Sequence, residues 1–346
     1  MKKIILILLV FTSIANADTT KVLFIGNSYT FAHDLPLLFK NLSASGGKIV
    51  YTGVSAPGGY TFQLHLSDVT TLNLISQGVW NYVVLQEQSQ TPVIEYLRYH
   101  SMYPSARKLD SIIKIHNPTA HTVFYMTWGR KNGGQQCIDT SCSPAFINFF
   151  HMQDSLKSSY AMISNMLSAL LSPAGEAWRT ARILKPYVNL WDSDNSHPTL
   201  DGSYLTACVF YAKIFNQSPI GFSFNAGLPD SSALFYQQCA WQTVSNVSRN
   251  EIRPQVFELF QNYPNPFNSS TIIKFNISKT SFVNLKVFDI LGKEIITLIN
   301  QNLRSGNYSI PFSISQFSDN QIPSGIYFYR LQTEDFSQTK KLVIIK

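Results

Sequence analysis

Charged side chains are scarce in this sequence. Asp, Glu, Lys and Arg make up 14% of the 346 residues, whereas Phe, Trp and Tyr make up 13%. This balance is more typical of an extracytoplasmic protein that faces sugars or surfaces than of a strongly solvated cytosolic one. The formal net charge is +7, but no dense run of Lys and Arg could follow a phosphate backbone, so we expect no nucleic-acid partner.

Long apolar runs are absent after the first residues. Lys2 and Lys3 precede an apolar stretch at 4–11, and small residues lead to Ala17. These parts, in this order, are typical of a secretory signal peptide, and the apolar stretch is shorter than the about 20 residues that span a bilayer. We therefore predict a signal peptide at residues 1–17, export, and no transmembrane segment in the mature chain.

Cysteines are few, and none follows a metal-binding spacing. Cys137 and Cys142 lie in a polar loop, where an exported protein can form a short disulfide worth roughly 2 kcal/mol. Cys208 and Cys239 lie in apolar surroundings and are either paired or buried as thiols. The histidines show no HExxH-like or paired spacing either, so we expect neither a metal nor an organic cofactor.

The apolar pattern predicts two domains separated by a linker. In residues 18–242 short apolar strands alternate with amphipathic helices, which predicts a flavodoxin-like three-layer α/β fold with a parallel sheet. Residues 243–258 are polar and aperiodic, as a linker would be. Over residues 259–346 the period becomes two, which predicts a small antiparallel β-sandwich. In the first domain the predicted strands are 22–25, 49–54, 82–86, 122–127 and 187–191, and the predicted helices are 35–45, 64–76, 97–115, 151–171 and 200–215.

A serine lies at the carboxyl end of the first predicted strand. Residues 22–25 lead directly into Gly-Asn-Ser-Tyr at 26–29, and a helix follows. Ligands of open parallel sheets bind at this edge, where backbone N–H groups can stabilise a developing negative charge. Because such a segment is by itself usually only a turn, Ser28 needs a second feature before it predicts chemistry.

The second feature is an Asp-x-x-His segment that follows the last predicted strand. Asp194 and His197 lie there in a loop at the same edge as Ser28. A serine hydroxyl is a weak nucleophile unless a base takes its proton, and a carboxylate can hold an imidazole base in the required tautomer. Ser28 is therefore the expected nucleophile, His197 the general base and acid, and Asp194 the orienter. Asp192 is a second candidate for the orienting role.

These segments resemble the blocks of the SGNH (GDSL-like) hydrolases over about residues 21–243. Residues 26–29 are similar to the first block, with Asn and Tyr in place of the usual Asp and Leu, and residues 194–197 match the final block. Ala-Pro-Gly-Gly-Tyr at 56–60 looks like the second block, whose glycine N–H helps to bind the oxyanion. The resemblance implies that Gly59, or else Gly58, supplies this donor together with the Ser28 N–H.

The third block of that family is replaced here. The family has Gly-x-Asn after the third strand, with the Asn side chain donating to the oxyanion, whereas this chain has Leu-Gln-Glu-Gln-Ser-Gln at 85–90. A glutamine amide is the same donor on a longer arm, so Gln88 is the expected substitute, with Gln86 and Gln90 as alternatives. Each of these glutamines could instead only cap the strand and connect neighbouring loops.

A loop with glycines, an aromatic ring and two cations follows the fourth predicted strand. It reads Trp-Gly-Arg-Lys-Asn-Gly-Gly at 128–134. It either lines a polar substrate pocket, with Trp128 as a contact, or forms a surface loop braced by a Cys137–Cys142 bridge.

The tail resembles the C-terminal sorting domain of type IX secretion substrates over residues 259–346. The matching segments are Asn-Tyr-Pro-Asn-Pro-Phe-Asn at 262–268, the hairpin at 289–293, the strand at 325–330 and the run at 340–346. The resemblance implies contact with the type IX secretion machinery. It also implies a secreted or surface-attached product after export through the periplasm.

The two resemblances together imply an exported serine ester hydrolase that forms an acyl-enzyme. Its expected substrate is a small-molecule or glycan ester, with the O-acetyl group of a carbohydrate favoured by resemblance to extracellular members. The alternative comes from a different class: a surface-associated binding protein that keeps the SGNH fold but has lost catalysis together with its Gly-x-Asn block.

Overall fold

The computed structural model describes residues 19–249, 257–303, 305–314 and 322–345. The chain divides into two compact units between Val244 and Ser245, and each unit has its own hydrophobic core. The predicted signal peptide at residues 1–17 lies outside the described residues.

The first unit is an α/β domain built on one parallel sheet. The sheet has five strands in the order β2-β1-β3-β4-β7, all parallel, which confirms the predicted flavodoxin-like fold. Its elements, in chain order, are β1 (Thr20–Ile25), α1 (Ser28–Phe31), α2 (Leu35–Ser45), β2 (Val50–Ser55), α3 (Phe62–His65), α4 (Val69–Ser76), β3 (Tyr82–Leu85), α5 (Glu95–Leu97), α6 (Tyr103–His116), β4 (His121–Tyr125), β5 (Cys137–Ile138), β6 (Ser141–Cys142), α7 (Phe149–Met166), β7 (Leu170–Ser172), α8 (Ala174–Leu184), α9 (Leu200–Phe215) and α10 (Asp230–Arg249).

Helices cover both faces of this sheet because its strands are apolar on both sides. Successive side chains of a strand point to opposite faces. In β1, Val22 and Phe24 belong to the core cluster that includes α2 and α9, whereas Leu23 and Ile25 belong to the cluster that includes α6 and α7. All four side chains are fully buried.

Two predicted segments of the first unit were wrong. Residues 187–191 form no strand, and Trp191 makes only an isolated bridge with Pro198. The fifth parallel strand is instead β7, in a segment that the apolar period had assigned to the end of the helix 151–171. The first residues of the predicted linker at 243–258 are helical, since α10 continues to Arg249; residues 250–256 lie outside the described residues.

The second unit is the predicted antiparallel β-sandwich. Its sheets have the orders β11-β10-β13-β14 and β12-β9-β8, and the paired strands are antiparallel. Buried side chains of both sheets form one core. The strands are β8 (Glu258–Leu259), β9 (Ser270–Ile277), β10 (Ser281–Phe288), β11 (Glu294–Leu303), β12 (Gly306–Ser313), β13 (Gly325–Gln332) and β14 (Ser337–Ile344).

The cysteines of the first unit fall into two classes. Cys137 and Cys142 form the predicted disulfide across the β5–β6 hairpin. Cys208 and Cys239 are buried free thiols, which decides between the two alternatives that the sequence left open. Within the described ranges, no helix has both the length and the apolar character that crossing a membrane requires.

Candidate active site

Ser28 follows the strand at which the chain connections of the sheet reverse direction. β1 lies between β2 and β3, and a reversal of this kind opens a crevice beyond the carboxyl ends of the strands. Ser28 is the first residue of α1. Asn27 caps that helix by accepting a hydrogen bond from the Tyr29 N–H at 3.3 Å, and its amide donates to the Tyr60 carbonyl at 2.8 Å. The serine turn is thereby attached to the segment after β2.

The turn before Ser28 requires glycine. A Cβ at Gly26 would lie 2.2 Å from Thr30 Oγ1 and 2.6 Å from Gln86 Oε1. That space is used by Gln86, whose Oε1 accepts from the Asn27 N–H and the Thr30 hydroxyl, each at 2.9 Å. Gln86 is buried, and its two hydrogen bonds hold the serine turn in place. The Gly26 carbonyl accepts from His65 Nε2 at 2.8 Å, and burial lowers the pKa of His65.

The Asp-x-x-His segment approaches Ser28 in the loop before α9. The main chain turns at Asn195, whose φ of +58° is left-handed, a conformation that Asn adopts more readily than most residues. The loop is closed where the Asp192 N–H donates to the His197 carbonyl at 2.8 Å. Trp128 attaches it to the loop after β4, because its indole N–H donates to the Ser196 carbonyl at 3.0 Å.

The structure brings Ser28, His197 and Asp194 together. His197 Nε2 lies 2.8 Å from Ser28 Oγ, and His197 Nδ1 is hydrogen-bonded to Asp194 Oδ2. Asp194 Oδ1 accepts from the backbone N–H groups of Ser196 and His197, each at 2.9 Å. Partial burial opposes ionisation of Asp194, but the hydrogen bonds from His197 and Ser196 lower its pKa overall.

The alternative orienter, Asp192, has no hydrogen bond with the imidazole among those of the described residues. Asp192 Oδ1 accepts from the neighbouring Ser193 N–H. The hydroxyl, imidazole and carboxylate therefore form one hydrogen-bonded chain through Asp194, as proton transfer from a serine requires.

A cleft of about 430 Å³ lies over this chain of residues. Gly59 and Gln88 line it with Ser28, whereas the alternatives Gly58, Gln86 and Gln90 do not. Within the part of the chain that the structure describes, the backbone N–H groups of Ser28 and Gly59 have no protein acceptor. Both donors are therefore available to an oxygen atom in the cleft.

Gln88 is oriented by its own loop. Its Oε1 accepts from the Gln90 N–H at 2.7 Å and the Thr91 N–H at 3.1 Å, and its Nε2 donates to Gln90 Oε1 at 3.1 Å. An amide nitrogen has two hydrogens, so a second donor remains. The amide of Gln90 is directed elsewhere, to the Cys137 carbonyl at 3.3 Å.

Trp128 does not line the cleft, which corrects the expectation from the sequence. It is 1% exposed, and its ring is stacked between Tyr29, at 4.8 Å, and Trp178, at 3.8 Å between ring centroids. The aromatic side chain at the cleft is Tyr29, whose hydroxyl lies 2.6 Å from Ser196 Oγ. Trp128 is excluded from the cleft because both faces of its ring and its N–H already have partners.

The sequence had not singled out Arg130 or Ser89, both of which line the cleft. Arg130 belongs to the loop that was considered as a pocket or a surface segment. The available signal was a cation in the loop after a strand that ends at the edge where Ser28 lies. Among the described residues, no cluster of three His, Cys, Asp or Glu side chains could hold a metal ion.

Comparison with known proteins identifies the tail. Residues 261–345 match the family described as the secretion system C-terminal sorting domain. This match confirms the predicted sorting domain. A domain of this type indicates export to the medium or the cell surface.

Comparison with solved structures finds proteins whose fold is similar to that of the first unit. A DUF4886 family protein from Bacteroides uniformis has a TM-score of 0.54 and 17% identity, covering 66% of this chain and 95% of that chain. A putative SGNH hydrolase from Slackia heliotrinireducens has a TM-score of 0.45 and 23% identity, covering 57% and 100%. At these identities the likeness concerns the fold. No curated protein matches the chain.

A buried carboxyl group lies next to the cleft residue Gln88. Glu87 is 0% exposed and accepts from the Phe62 N–H at 3.1 Å and the Gln88 N–H at 2.7 Å. Burial raises the pKa of Glu87 to about 8, although these two hydrogen bonds act in the opposite direction. The side chain is therefore largely protonated at neutral pH.

We expect Glu87→Gln to flatten the dependence of stability on pH. Between the unperturbed pKa of 4.5 and the folded value of about 8, the unfolded chain loses this proton and the folded chain keeps it. The free energy of unfolding of the wild type therefore falls as pH rises, by about 1.4 kcal/mol per pH unit from this group. An amide cannot ionise, so the variant lacks this contribution.

Urea unfolding followed by tryptophan fluorescence measures the effect, since all five tryptophans precede residue 245. Glu95→Gln, at an exposed carboxylate of the same unit, is the matched control and should follow the wild type. Parallel curves for Glu87→Gln and the wild type would contradict the expectation.

Proposed function

We propose that this protein is an exported serine ester hydrolase in which Ser28, His197 and Asp194 act as a triad. The observation that best supports the proposal is the 2.8 Å distance between His197 Nε2 and Ser28 Oγ. The two residues are 169 positions apart, so local sequence does not bring them together. The SGNH-like fold and the open cleft above the serine agree with this function.

In the first step, Ser28 Oγ attacks the carbonyl carbon of the ester while His197 Nε2 takes the hydroxyl proton. The carbonyl electron pair moves to its oxygen, which becomes negatively charged. Asp194 holds Nδ1–H and stabilises the imidazolium. Its lowered pKa keeps the carboxylate ionised in mildly acidic solution.

In the second step, the ester C–O bond breaks, and His197 gives its proton to the departing alcohol. Ser28 is left acylated. A water molecule then loses a proton to His197 and attacks the acyl carbon, which releases the acid and restores the serine. The His197 and Asp194 side chains are 42% and 46% exposed, so water can reach them. His197 transfers every proton, and the proposal includes no cofactor.

The oxyanion is proposed to be bound by the Ser28 N–H, the Gly59 N–H and the amide of Gln88. The two backbone groups have no protein acceptor among the described residues, and Gln88 retains one amide hydrogen. Gln88 would then replace the family's asparagine donor. Removing one such donor typically costs about 3 kcal/mol of transition-state stabilisation.

The proposed substrates are O-acyl esters of carbohydrates, with O-acetyl groups favoured. Among the described residues that line the cleft, none is aliphatic. The hydroxyl of Ser89 suits the hydroxyl groups of a sugar, whereas a long acyl chain needs an apolar surface.

We expect Ser28→Ala to lower kcat for p-nitrophenyl acetate by about 10³-fold or more, since the nucleophile is lost. Steady-state rates of the purified mature chain measure this. Ser193→Ala, at an exposed serine in the loop of His197, is the matched control and should retain the wild-type rate. Equal rates for the wild type and Ser28→Ala would rule out the hydrolase and favour the noncatalytic binding protein.

For the oxyanion donor, we expect Gln88→Ala to lower kcat by about 10²–10³-fold with little change in KM, because the donor acts mainly in the transition state. Gln90→Ala is the comparison variant and should lower kcat less than tenfold. A larger loss in Gln90→Ala than in Gln88→Ala would reverse the assignment of the two amides.

The tail is proposed to direct the protein through the type IX secretion machinery to the surface or the medium. Deleting residues 259–346 in a host with this machinery should leave the protein in the periplasm, because the sorting signal is removed. Cell fractionation measures the distribution. Surface delivery of the shortened chain at the wild-type level would reject the sorting role.

A further inference from the structure

Arg130 lines the same cleft as Ser28 and His197 but has no part in the proposed proton transfers. Its guanidinium donates from Nη1 to the Tyr29 hydroxyl at 3.3 Å, from Nη2 to Ser89 Oγ at 3.2 Å and from Nε to Gln136 Oε1 at 3.4 Å. All three acceptors are uncharged groups in their ordinary protonation states. These bonds orient the cation without neutralising it.

The positive charge of Arg130 is not paired with a carboxylate among the described residues. None of the ion pairs among the described residues includes Arg130. Asp194 supplies the cleft's carboxylate and is bonded to His197. Burial raises the pKa of Tyr29 even though Arg130 acts to lower it, so the phenol stays neutral. A cation held in this way attracts an anion from solution.

The guanidinium is also held in place by its surroundings. Gln136, which accepts from Nε, is itself held by two hydrogen bonds. Its side-chain amide donates to the Gly133 carbonyl at 3.1 Å, and its backbone N–H donates to Ser143 Oγ at 3.0 Å. The loop that contains Gln136 is closed by the disulfide between Cys137 and Cys142. A side chain that is ordered before binding loses little conformational entropy when a ligand arrives.

Two donors of Arg130 remain for a ligand. A guanidinium has five N–H groups, and its three contacts use one on each nitrogen. The two that remain belong to the two terminal nitrogens. A pair of N–H groups in this planar fork matches two oxygens of one carboxylate, sulfate or phosphate group.

We propose that Arg130 binds an anionic oxygen group of the substrate, so that the esters hydrolysed at Ser28 belong to acidic carbohydrates such as O-acylated uronic acids. This inference rests on the proposed function and specifies its substrate class. A bidentate pair would orient the sugar so that its acyl group lies at Ser28. Arg130 is then a specificity-determining residue.

The test compares an O-acetylated methyl glucuronoside with its methyl ester, which differ in one negative charge. We expect the wild type to show a kcat/KM for the acid at least about tenfold above that for the ester, as one or two charge-assisted hydrogen bonds would give. Arg130→Gln should reduce this ratio to near one, and Arg130→Lys should keep part of it. An unchanged ratio in Arg130→Gln would overturn the proposal.

Lys131→Gln is the matched control for the loss of one positive charge. Lys131 is exposed in the same loop, and its Nζ donates to Asn189 Oδ1 at 3.3 Å. This variant should keep the wild-type ratio. If Lys131→Gln lowers the ratio as much as Arg130→Gln, a general field of positive charge explains the preference, and the specific role of Arg130 is rejected.

Binding to Ser28→Ala separates this inference from the proposed function. Calorimetry should show that Ser28→Ala binds the acid at least about tenfold more tightly than the ester, and that Ser28→Ala with Arg130→Gln does not.

If Ser28→Ala hydrolyses both compounds at the wild-type rate, the proposed function fails, and this binding difference still tests Arg130. If Ser28→Ala is inactive but the wild type shows no preference for the acid, only the inference fails. A loss of kcat by the same factor for both compounds in Arg130→Gln would assign Arg130 to the reacting carbonyl and also overturn it.

Discussion

The contact between Ser28 and His197 depends on a buried connection between their two loops. Tyr29, next to the serine, and Ser196, next to the histidine, meet through their hydroxyls at 2.6 Å. Trp128 lies behind both, stacked on the Tyr29 ring and bonded to the Ser196 carbonyl. Because these groups are buried and have partners, neither loop can shift without leaving a polar group unsatisfied. The stack therefore fixes the distance between hydroxyl and imidazole.

The three side chains that follow β3, at residues 86–88, have different roles. Gln86 fills the space that Gly26 leaves open and holds the serine turn. Glu87 is buried, and its carboxyl accepts from the backbone at Phe62 and Gln88. Gln88 reaches the cleft. The amides of Gln86 and Gln88 are thus ordered by local hydrogen bonds, as the proposed oxyanion site would need.

Much of the fold could be predicted because hydrophobic period and turn residues are local signals. The predicted helices at 35–45 and 200–215 have the observed bounds of α2 and α9. The sandwich could be located because apolar residues there recur every second position, whereas in the helices of the first unit they recur every three to four positions. The fifth strand could not be predicted, since β7 has three residues and is defined by pairing with β4. Helices α8 and α10 were not predicted. Residues 187–191 have an apolar pattern that suits a strand, yet no neighbouring strand pairs along them.

The sequence by itself determined which chemical groups are available: a serine after the first strand, an Asp-x-x-His segment before a helix, and a sorting tail with its spaced motifs. These are properties of short segments, which can be recognised in the sequence without knowledge of the tertiary structure. Only the tertiary structure decided which candidate faces the cleft. It directs Asp194 rather than Asp192 to His197, brings Gln88 rather than Gln86 or Gln90 to the cleft, buries Trp128 and exposes Arg130 to the site. Those outcomes depend on the direction of each side chain, which is set by packing between segments far apart in the chain.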